Sequence, residues 1–163
     1  MTMDTALSWK PPRSAISNNF SELLDRLVMK NGISDLDQVG FQNFMDCPGS
    51  GVVLLINEPD TAAENWDTAV IFPELLAVTG NNLRAALMRP EHAKSLLTRF
   101  GIGRLPALLF LRDGGYVGSI EGLHDWSEYV KEYAIMLQKP VSRAPSIGVA
   151  ISAVCSPDCN WLG

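Results

Sequence analysis

The fold is decided by three stretches, GVVLLIN (residues 51–57), ENWDTAVIFPELL (64–76) and GRLPALLFLRDGGYVGSIEG (103–122). The first is apolar on both sides, which is typical of a central strand covered by helices on both faces of a sheet. The second has helical character, and Pro73 is expected to bend that helix because proline cannot donate to the i−4 carbonyl. In the third, the DGG at residues 113–115 separates two apolar runs and predicts an antiparallel hairpin.

Further elements are predicted on both sides of the first strand. An apolar stripe at helical spacing predicts a first helix with Gly32 as its C-terminal cap. Its members are Phe20, Leu23, Leu24, Leu27 and Val28. Residues 33–39 suit a short edge strand. A strand over 83–88 and a helix over 90–100, with proline at its first position and Gly101 as its cap, complete a β-α-β crossover.

Two more helices are predicted with defined faces. The helix over residues 67–78 is expected to pack against the sheet through four apolar residues, Val70, Ile71, Leu75 and Val78. The last helix opens at Asp125, and Glu128 three residues later gives a capping-box pattern. One face of this helix is expected to carry Trp126, Tyr129, Val130, Tyr133 and Leu137.

Parallel strands followed by a hairpin, with helices between them, predict a three-layer α/β/α sandwich with a mixed central sheet and an N-terminal helical extension. We expect one domain over residues 17–139. Residues 1–16 contain two prolines and no clear period, so they predict a flexible N-terminal arm. Residues 140–163 are dominated by proline, glycine and serine and predict a loosely ordered C-terminal tail.

Composition limits the classes of function. The 163 residues are 47% hydrophobic, which is enough for one good core. A net charge of -5 and a pI near 4.9 argue against nucleic acid, because a basic surface is needed to displace counterions from phosphates. No run is long enough to span a membrane and the N-terminus lacks the apolar core of a secretion signal, so a cytoplasmic location without membrane insertion is expected. Three cysteines, an odd number, predict reduced thiols.

The three stretches resemble the core of a thioredoxin from which the reactive cysteines are missing. A thioredoxin carries Cys-x-x-Cys before the helix-bending proline, and Asn65 and Thr68 fill those two positions here. Pro106 stands where thioredoxins keep a cis proline. Disulfide exchange needs an attacking thiolate and a second, resolving thiol, which an amide and a hydroxyl cannot replace. The resemblance therefore implies a thioredoxin-like sandwich that binds a partner and is not an enzyme.

An acidic group follows the central strand. Its carboxylates are Glu58, Asp60, Glu64 and Asp67, and no Lys or Arg lies among them. Ligands of open sheets bind near the carboxyl ends of the strands, so we expect this group to bind a partner. Trp66 within it is either exposed, where it would stack on an arginine, or packed as core. The alternative for Glu64 and Asp67 is stabilisation of a helix N-terminus.

The segment before Pro106 is the second candidate site. In the thioredoxin fold the residues before the cis proline present backbone groups to an extended peptide, a role that would fall to Arg104 and Leu105 here. No residue pattern indicates a metal or another cofactor. Cys155 and Cys159 supply too few ligands for tetrahedral zinc, and Cys47 and His92 are distant in sequence.

In combination, the missing cysteines, the acidic loop, the hairpin and the WSEYVKEY helix resemble the HupG/HyaE family of hydrogenase-expression proteins over about residues 18–138. The resemblance implies a chaperone that assists maturation of nickel-iron uptake hydrogenases. The implied partner is the small-subunit precursor, which carries a twin-arginine signal peptide, with other maturation proteins as further partners. Two adjacent arginines would suit the acidic loop.

Two other functions stay open. The first is a thiol-disulfide oxidoreductase that uses Cys155 and Cys159, or Cys47, in place of the missing pair. The second is a structural subunit of a larger assembly that dimerises through the hairpin edge. The expected oligomeric state is a monomer or a weak homodimer.

Overall fold

A computed structural model describes residues 13–58, 62–78 and 83–144 of the chain. The helices are α1 Arg13–Asn31, α2 Gln38–Asp46, α3 Ala62–Val78, α4 Pro90–Phe100 and α5 Trp126–Gln138. The strands are β1 Ser34–Asp35, β2 Ser50–Leu55, β3 Arg84–Met88, β4 Ala107–Arg112 and β5 Gly115–Glu121. Their order in the sheet is β1-β3-β2-β4-β5, with β1, β3 and β2 parallel and β4 and β5 antiparallel. The mixed central sheet and the hairpin are as predicted.

The strand β2 divides the core into two layers because successive side chains of a strand point to opposite faces. On one face, Val52 and Leu54 pack in a cluster with buried residues of α1, α3 and α5. On the other face, Val53 and Leu55 pack with buried residues of α2 and α4. The sheet is therefore covered on both sides, which confirms the three-layer arrangement and the central position of β2.

Several local predictions are confirmed. Pro90 is the first residue of α4, and Gly101 caps that helix in the left-handed region at φ 66°. Strand β1 lies at the sheet edge beside β3, although it covers only Ser34–Asp35 of the predicted 33–39 and α2 already begins at Gln38. The Leu105–Pro106 peptide bond is cis. The buried residues of α1 include Phe20, Leu24 and Leu27 from the predicted stripe.

Helix α1 begins earlier than expected. It starts at Arg13, so its first turn lies in the range 1–16 that was predicted as a flexible arm. Residues 1–12 lie outside the described residues.

Helix α3 corrects two predictions. It begins at Ala62, not at residue 67, because Ala62, Ala63 and Glu64 are strong helix formers without a breaker. Its buried face is also rotated from the expected one, since Val70 and Val78 are exposed. The residues buried on this face are Asn65, Thr68, Ala69, Phe72, Leu75 and Leu76. The helix is apolar on most sides, so periodicity alone did not identify the face that includes two polar residues.

Helix α5 differs from its prediction at the N-terminus. Asp125 is the N-cap residue, but its side chain makes no capping hydrogen bond. Glu128 lies 3.4 Å from the His124 ring nitrogen Nδ1, so the capping box does not form. Trp126 is exposed, whereas Tyr129, Tyr133 and Met136 are buried. The packed face therefore begins at Tyr129, one turn later than the pattern predicts.

Arginines on two strands cap the C-termini of helices. Arg112 on β4 donates to the carbonyl oxygens of Lys139 and Leu137 at 2.6 and 2.7 Å, at the end of α5. Arg84 on β3 donates to the Phe44 carbonyl oxygen of α2 at 2.6 Å, and its guanidinium lies over the Phe44 ring. A cation at a helix C-terminus binds the unpaired carbonyls and opposes the helix dipole. These contacts fix α2 and α5 to the sheet.

The described part of the predicted tail contacts the sheet. The Ser142 backbone N–H donates to the Tyr116 carbonyl oxygen on β5 at 2.7 Å and forms an isolated antiparallel bridge. Cys155 and Cys159 lie outside the described residues. Within residues 13–58, 62–78 and 83–144, no helix has both the length and the apolar character that a bilayer crossing requires.

Candidate functional site

The first cysteine position of the thioredoxin pattern holds a buried amide. Asn65 is only 1% exposed in the second turn of α3. Its Oδ1 accepts from the Asn57 backbone N–H at 3.2 Å, and its Nδ2 donates to the Asn57 and Glu58 carbonyl oxygens at 3.3 and 3.2 Å. Asn65 therefore ties α3 to the segment that leaves β2, and its side chain does not face a partner.

The second position is occupied by a buried hydroxyl. The Thr68 Oγ1 donates to the Glu64 carbonyl oxygen at 2.8 Å. The Tyr129 hydroxyl on α5 donates to the Gly122 carbonyl oxygen at 2.8 Å. Burial raises the pKa of Tyr129, and the neighbouring Thr68 side chain lowers it by less. The tyrosine stays protonated near neutral pH. The Thr68 contact lies within α3, and the Tyr129 contact links α5 to the residue that follows β5.

The cis-proline edge is held by the strand next to it. The Gly103 and Arg104 backbone N–H groups both donate to Glu121 Oε2, at 2.9 and 3.1 Å. The Gly122 N–H donates to the Pro106 carbonyl oxygen at 2.8 Å. A single carboxylate at the end of β5 thus fixes the segment that contains Arg104 and Leu105. The segment is therefore held against the end of the edge strand β5.

The acidic group is partly neutralised by the chain itself. One Arg104 nitrogen, Nη2, lies 3.1 and 3.3 Å from the two carboxylate oxygens of Glu64. Lys94 Nζ on α4 lies 3.4 Å from Glu58 Oε1. The sequence contains no Lys or Arg inside the acidic group, but the fold places Arg104 beside Glu64 and Lys94 beside Glu58. Asp60 lies outside the described residues.

Trp66 has an intermediate environment. Its ring packs on Phe20 of α1 with a centroid distance of 5.9 Å, yet 37% of its surface is exposed. Both predicted alternatives therefore apply in part, because one side of the ring joins the core and the other faces solvent. Asp67, the next residue, is exposed.

Trp66 and Asp67 line a groove between α3 and the segment that enters α5. We call this the α3–α5 groove, and it has a volume of about 640 Å³. Its lining residues are Trp66, Asp67, Val70, Ile71, Leu123, His124, Asp125, Trp126 and Glu128. The other described candidate residues do not line it: Glu58, Glu64, Arg104 and Leu105 lie elsewhere, and Pro106 is buried.

The structure thus separates the predicted site into two surfaces. Glu64, Arg104 and the cis-proline segment form one, and Trp66 with Asp67 forms part of the other. The sequence analysis missed the contribution of residues 123–128 to the second surface. A signal was present, since LHDWSE combines apolar, aromatic and acidic residues. It was attributed to helix capping and core packing, both of which the fold contradicts at Trp126 and Glu128.

No group of His, Cys, Asp or Glu side chains among residues 13–58, 62–78 and 83–144 has the arrangement of a metal site. Cys47 is exposed at the C-cap of α2, where its Sγ donates to the Asn43 carbonyl oxygen at 3.2 Å. A reactive thioredoxin cysteine instead lies at a helix N-terminus, which favours the thiolate.

Solved structures agree with the fold. The chain is similar to mitochondrial thioredoxin 3 from Saccharomyces cerevisiae, with a TM-score of 0.51 and 13% identity over 63% of this chain and 96% of that one. It is similar to the thioredoxin from Trypanosoma brucei brucei, with a TM-score of 0.52 and 13% identity over 65% of this chain and 88% of that one. The fold is therefore thioredoxin-like, and Asn65 and Thr68 stand at the two positions where the resemblance expects the reactive pair.

Sequence comparison defines the family within that class. The model of the family "Hydrogenase-1 expression protein HyaE" matches residues 23–129. The chain is 38% identical over 141 residues to the hydrogenase expression/formation protein HoxO of Cupriavidus necator, covering 85% of this chain and 88% of that protein. It is 31% identical over 128 residues to HupG of Bradyrhizobium diazoefficiens, covering 76% and 86%. The chain belongs to the HyaE family of hydrogenase expression proteins, and this membership carries a role in hydrogenase maturation.

Proposed function

We propose that this chain is a non-enzymatic cytoplasmic chaperone in the maturation of a nickel-iron uptake hydrogenase, and that it binds the small-subunit precursor with its twin-arginine signal peptide. The observation that carries the non-enzymatic part is the use of both dithiol positions for internal hydrogen bonds by Asn65 and Thr68. Neither side chain can attack or resolve a disulfide. Membership of the HyaE family supports the hydrogenase part.

The Glu64–Arg104 pair supports a route for arginine binding. Glu64 already accepts a guanidinium in a geometry with both carboxylate oxygens near one nitrogen. Both side chains are substantially exposed, and exposed pairs contribute about 0–1 kcal/mol. An arginine of the precursor can therefore replace Arg104 at little cost in free energy. The cis-proline segment at Leu105 and Pro106 would then receive extended backbone of the precursor. Glu58 and Asp60 are proposed as further carboxylates that pair with its basic residues.

This exchange predicts opposite effects for two substitutions. Arg104→Ala should strengthen binding of the precursor roughly twofold to fivefold, because Glu64 no longer has an internal competitor. Glu64→Lys should weaken binding by about tenfold, because it places a like charge against the incoming arginine. Affinity of the wild-type chain should fall with added salt, since exposed charges are screened. The measurement is titration of the labelled precursor at low and physiological ionic strength.

Two matched controls distinguish the contribution of the Glu64–Arg104 pair to affinity from a general effect of net charge. Glu74→Lys changes the charge of the same helix at an exposed position, and Arg143→Ala removes an exposed arginine elsewhere. Both should leave the affinity within twofold. If Glu64→Lys and Glu74→Lys weaken binding equally, Glu64 is not a contact. If the wild-type chain does not retain the precursor at all, the proposed partner is wrong.

The oxidoreductase alternative has a direct test. Reduction of insulin by the purified full-length chain should not exceed the rate of the thiol buffer alone, because the described fold places no cysteine at the N-terminus of α3. Cys47→Ser and Cys155→Ser variants serve as controls. Turnover by the wild-type chain that either substitution abolishes would establish an enzyme and end the binding-only proposal.

A further inference from the structure

The α3–α5 groove concentrates apolar surface that the fold leaves uncovered. Among the described residues, the exposed large apolar side chains are Met29, Val39, Trp66, Val70, Val78, Leu123, Trp126, Ile135 and Val141, and four of these nine line this groove. They are Trp66, Val70, Leu123 and Trp126. Trp126 is 46% exposed and Val70 is 50% exposed. Ile71 packs on the core and forms part of the wall. The groove thus combines exposed aromatic and aliphatic side chains with polar ones, a composition that suits contact with a peptide.

The rim of the α3–α5 groove is acidic. Asp67, Asp125 and Glu128 line it, and no Lys or Arg does so within the described part of the chain. Asp67 and Asp125 form no ion pair with another described residue, and Glu128 contacts only the His124 ring in that way. This differs from Glu64 and Glu58, whose carboxylates are paired with Arg104 and Lys94. The unneutralised carboxylates of the described surface thus include those beside the exposed tryptophans.

We infer that the α3–α5 groove binds a peptide segment in which an apolar side chain adjoins an arginine, with the apolar side chain between Trp66 and Trp126 and the guanidinium against Asp67 and Asp125. Tryptophan supplies large apolar contact area and also attracts a guanidinium over its face. The carboxylates exclude acidic segments. This inference rests on the proposed function and names a second contact for the same precursor, separate from Glu64 and the cis-proline edge.

Charge disfavours a second copy of this chain as the occupant. A symmetric dimer through this groove would bring the same three carboxylates of each copy to one interface, and like charges at an interface weaken association. The chain's net charge of -5 adds to that repulsion. A cationic, apolar peptide complements both the apolar and the acidic side chains that line the groove.

The apolar part of the site is tested with Trp126→Ala in the full-length chain. The probe is a fluorescein-labelled peptide that carries two arginines beside phenylalanine and leucine, measured by anisotropy. We expect Trp126→Ala to weaken binding by about tenfold or more, because tryptophans in the centre of a contact dominate affinity. Ile135→Ala is the matched control, since Ile135 is an exposed apolar residue of the same helix outside the groove. It should leave the affinity within twofold.

The charged part is tested with Asp67→Lys on α3. Asp125 is less suitable, because it is also the N-cap residue of α5. We expect Asp67→Lys to weaken binding by about fivefold, and Glu74→Lys, outside the groove, to have no comparable effect. With a peptide that has glutamines in place of the arginines, wild type and Asp67→Lys should have the same affinity. With a peptide that has serines in place of phenylalanine and leucine, wild type and Trp126→Ala should have the same affinity.

The outcomes distinguish this inference from the proposed function. If Trp126→Ala and Asp67→Lys bind the peptide within twofold of wild type, the groove is not the site. If both variants bind the peptide as wild type does and the precursor still binds the wild-type chain, the inference fails and the chaperone proposal stands. If sedimentation shows a wild-type dimer that Trp126→Ala dissociates, the occupant is a second copy and the inference is overturned. If neither peptide nor precursor binds the wild-type chain, both fail.

Discussion

Replacing Asn65 with alanine is expected to lower the free energy of unfolding by about 2–3 kcal/mol, because a buried polar group that loses its partner costs about 1–3 kcal/mol. The substitution removes the partners of the Asn57 N–H and of the Asn57 and Glu58 carbonyl oxygens at once. It also leaves a space beside a residue that is 1% exposed. The measurement is equilibrium unfolding in urea.

Two further variants make the Asn65 prediction specific. Asn65→Asp keeps the acceptor for Asn57 N–H but lacks both donors and buries a carboxylate, so it should destabilise at least as much as alanine. Asn43→Ala, at an exposed position of α2, should change stability by less than about 0.5 kcal/mol. An Asn65→Ala protein as stable as the Asn43→Ala protein would show that this amide does not hold the segment after β2.

Replacing Arg112 with methionine is expected to lower the free energy of unfolding by about 2–4 kcal/mol, since hydrogen bonds to charged groups contribute about 1.5–3 kcal/mol. Arg112 Nε donates to Ser50 Oγ at 2.9 Å, and its terminal nitrogens donate to carbonyls at the end of α5. Methionine retains most of the aliphatic packing and removes all of these donors. Urea unfolding gives the loss, and hydrogen exchange should show it first in the last turn of α5.

The Arg112 prediction has two controls. Arg112→Lys keeps the charge but lacks the planar fork, so it should recover only part of the lost stability. Arg26→Met replaces an exposed arginine that forms no ion pair with another described residue, and it should be nearly neutral. Equal effects of Arg112→Met and Arg26→Met would mean that the carbonyls at the end of α5 are satisfied by water instead.

These two residues also bear on binding. Asn65 fixes the start of α3, which carries Trp66 and Asp67, and Arg112 fixes the far end of α5, which carries Trp126 at its beginning. The two helices that form the α3–α5 groove are therefore each held to the sheet by polar contacts. A groove on rigid elements loses less conformational entropy when a peptide binds.

Local sequence patterns were sufficient for most of the fold. The doubly apolar run of β2, the DGG turn and the proline and glycine that bracket α4 each depend on residues close together in the chain. The faces of α3 were not predictable in this way. That helix is apolar on most sides, and its buried face includes two polar residues. Asn65 has its partners, Asn57 and Glu58, on another segment, whereas Thr68 donates to the Glu64 carbonyl oxygen of the same helix. Burial of the Asn65 amide is favourable only because the tertiary structure supplies those partners.

The candidate site was predictable only in part, for the same reason. The acidic group and the cis proline could be recognised from residues that are near in sequence. The pairing of Glu64 with Arg104 joins residues that are 40 positions apart, and the groove joins Trp66 to Trp126 across two helices. Neither relation has a periodic signature. The sequence therefore predicts one acidic site, whereas the structure has two surfaces: one in which Arg104 neutralises Glu64, and the α3–α5 groove, which stays acidic.

The sequence by itself determined the α/β class and the cis proline, because each depends on which residue types occur at a fixed local spacing. Only the tertiary structure decided which carboxylates are neutralised and which aromatic side chains stay exposed. Charge pairing and burial depend on distances through space, and the chain sets those distances only after its helices have packed on the sheet.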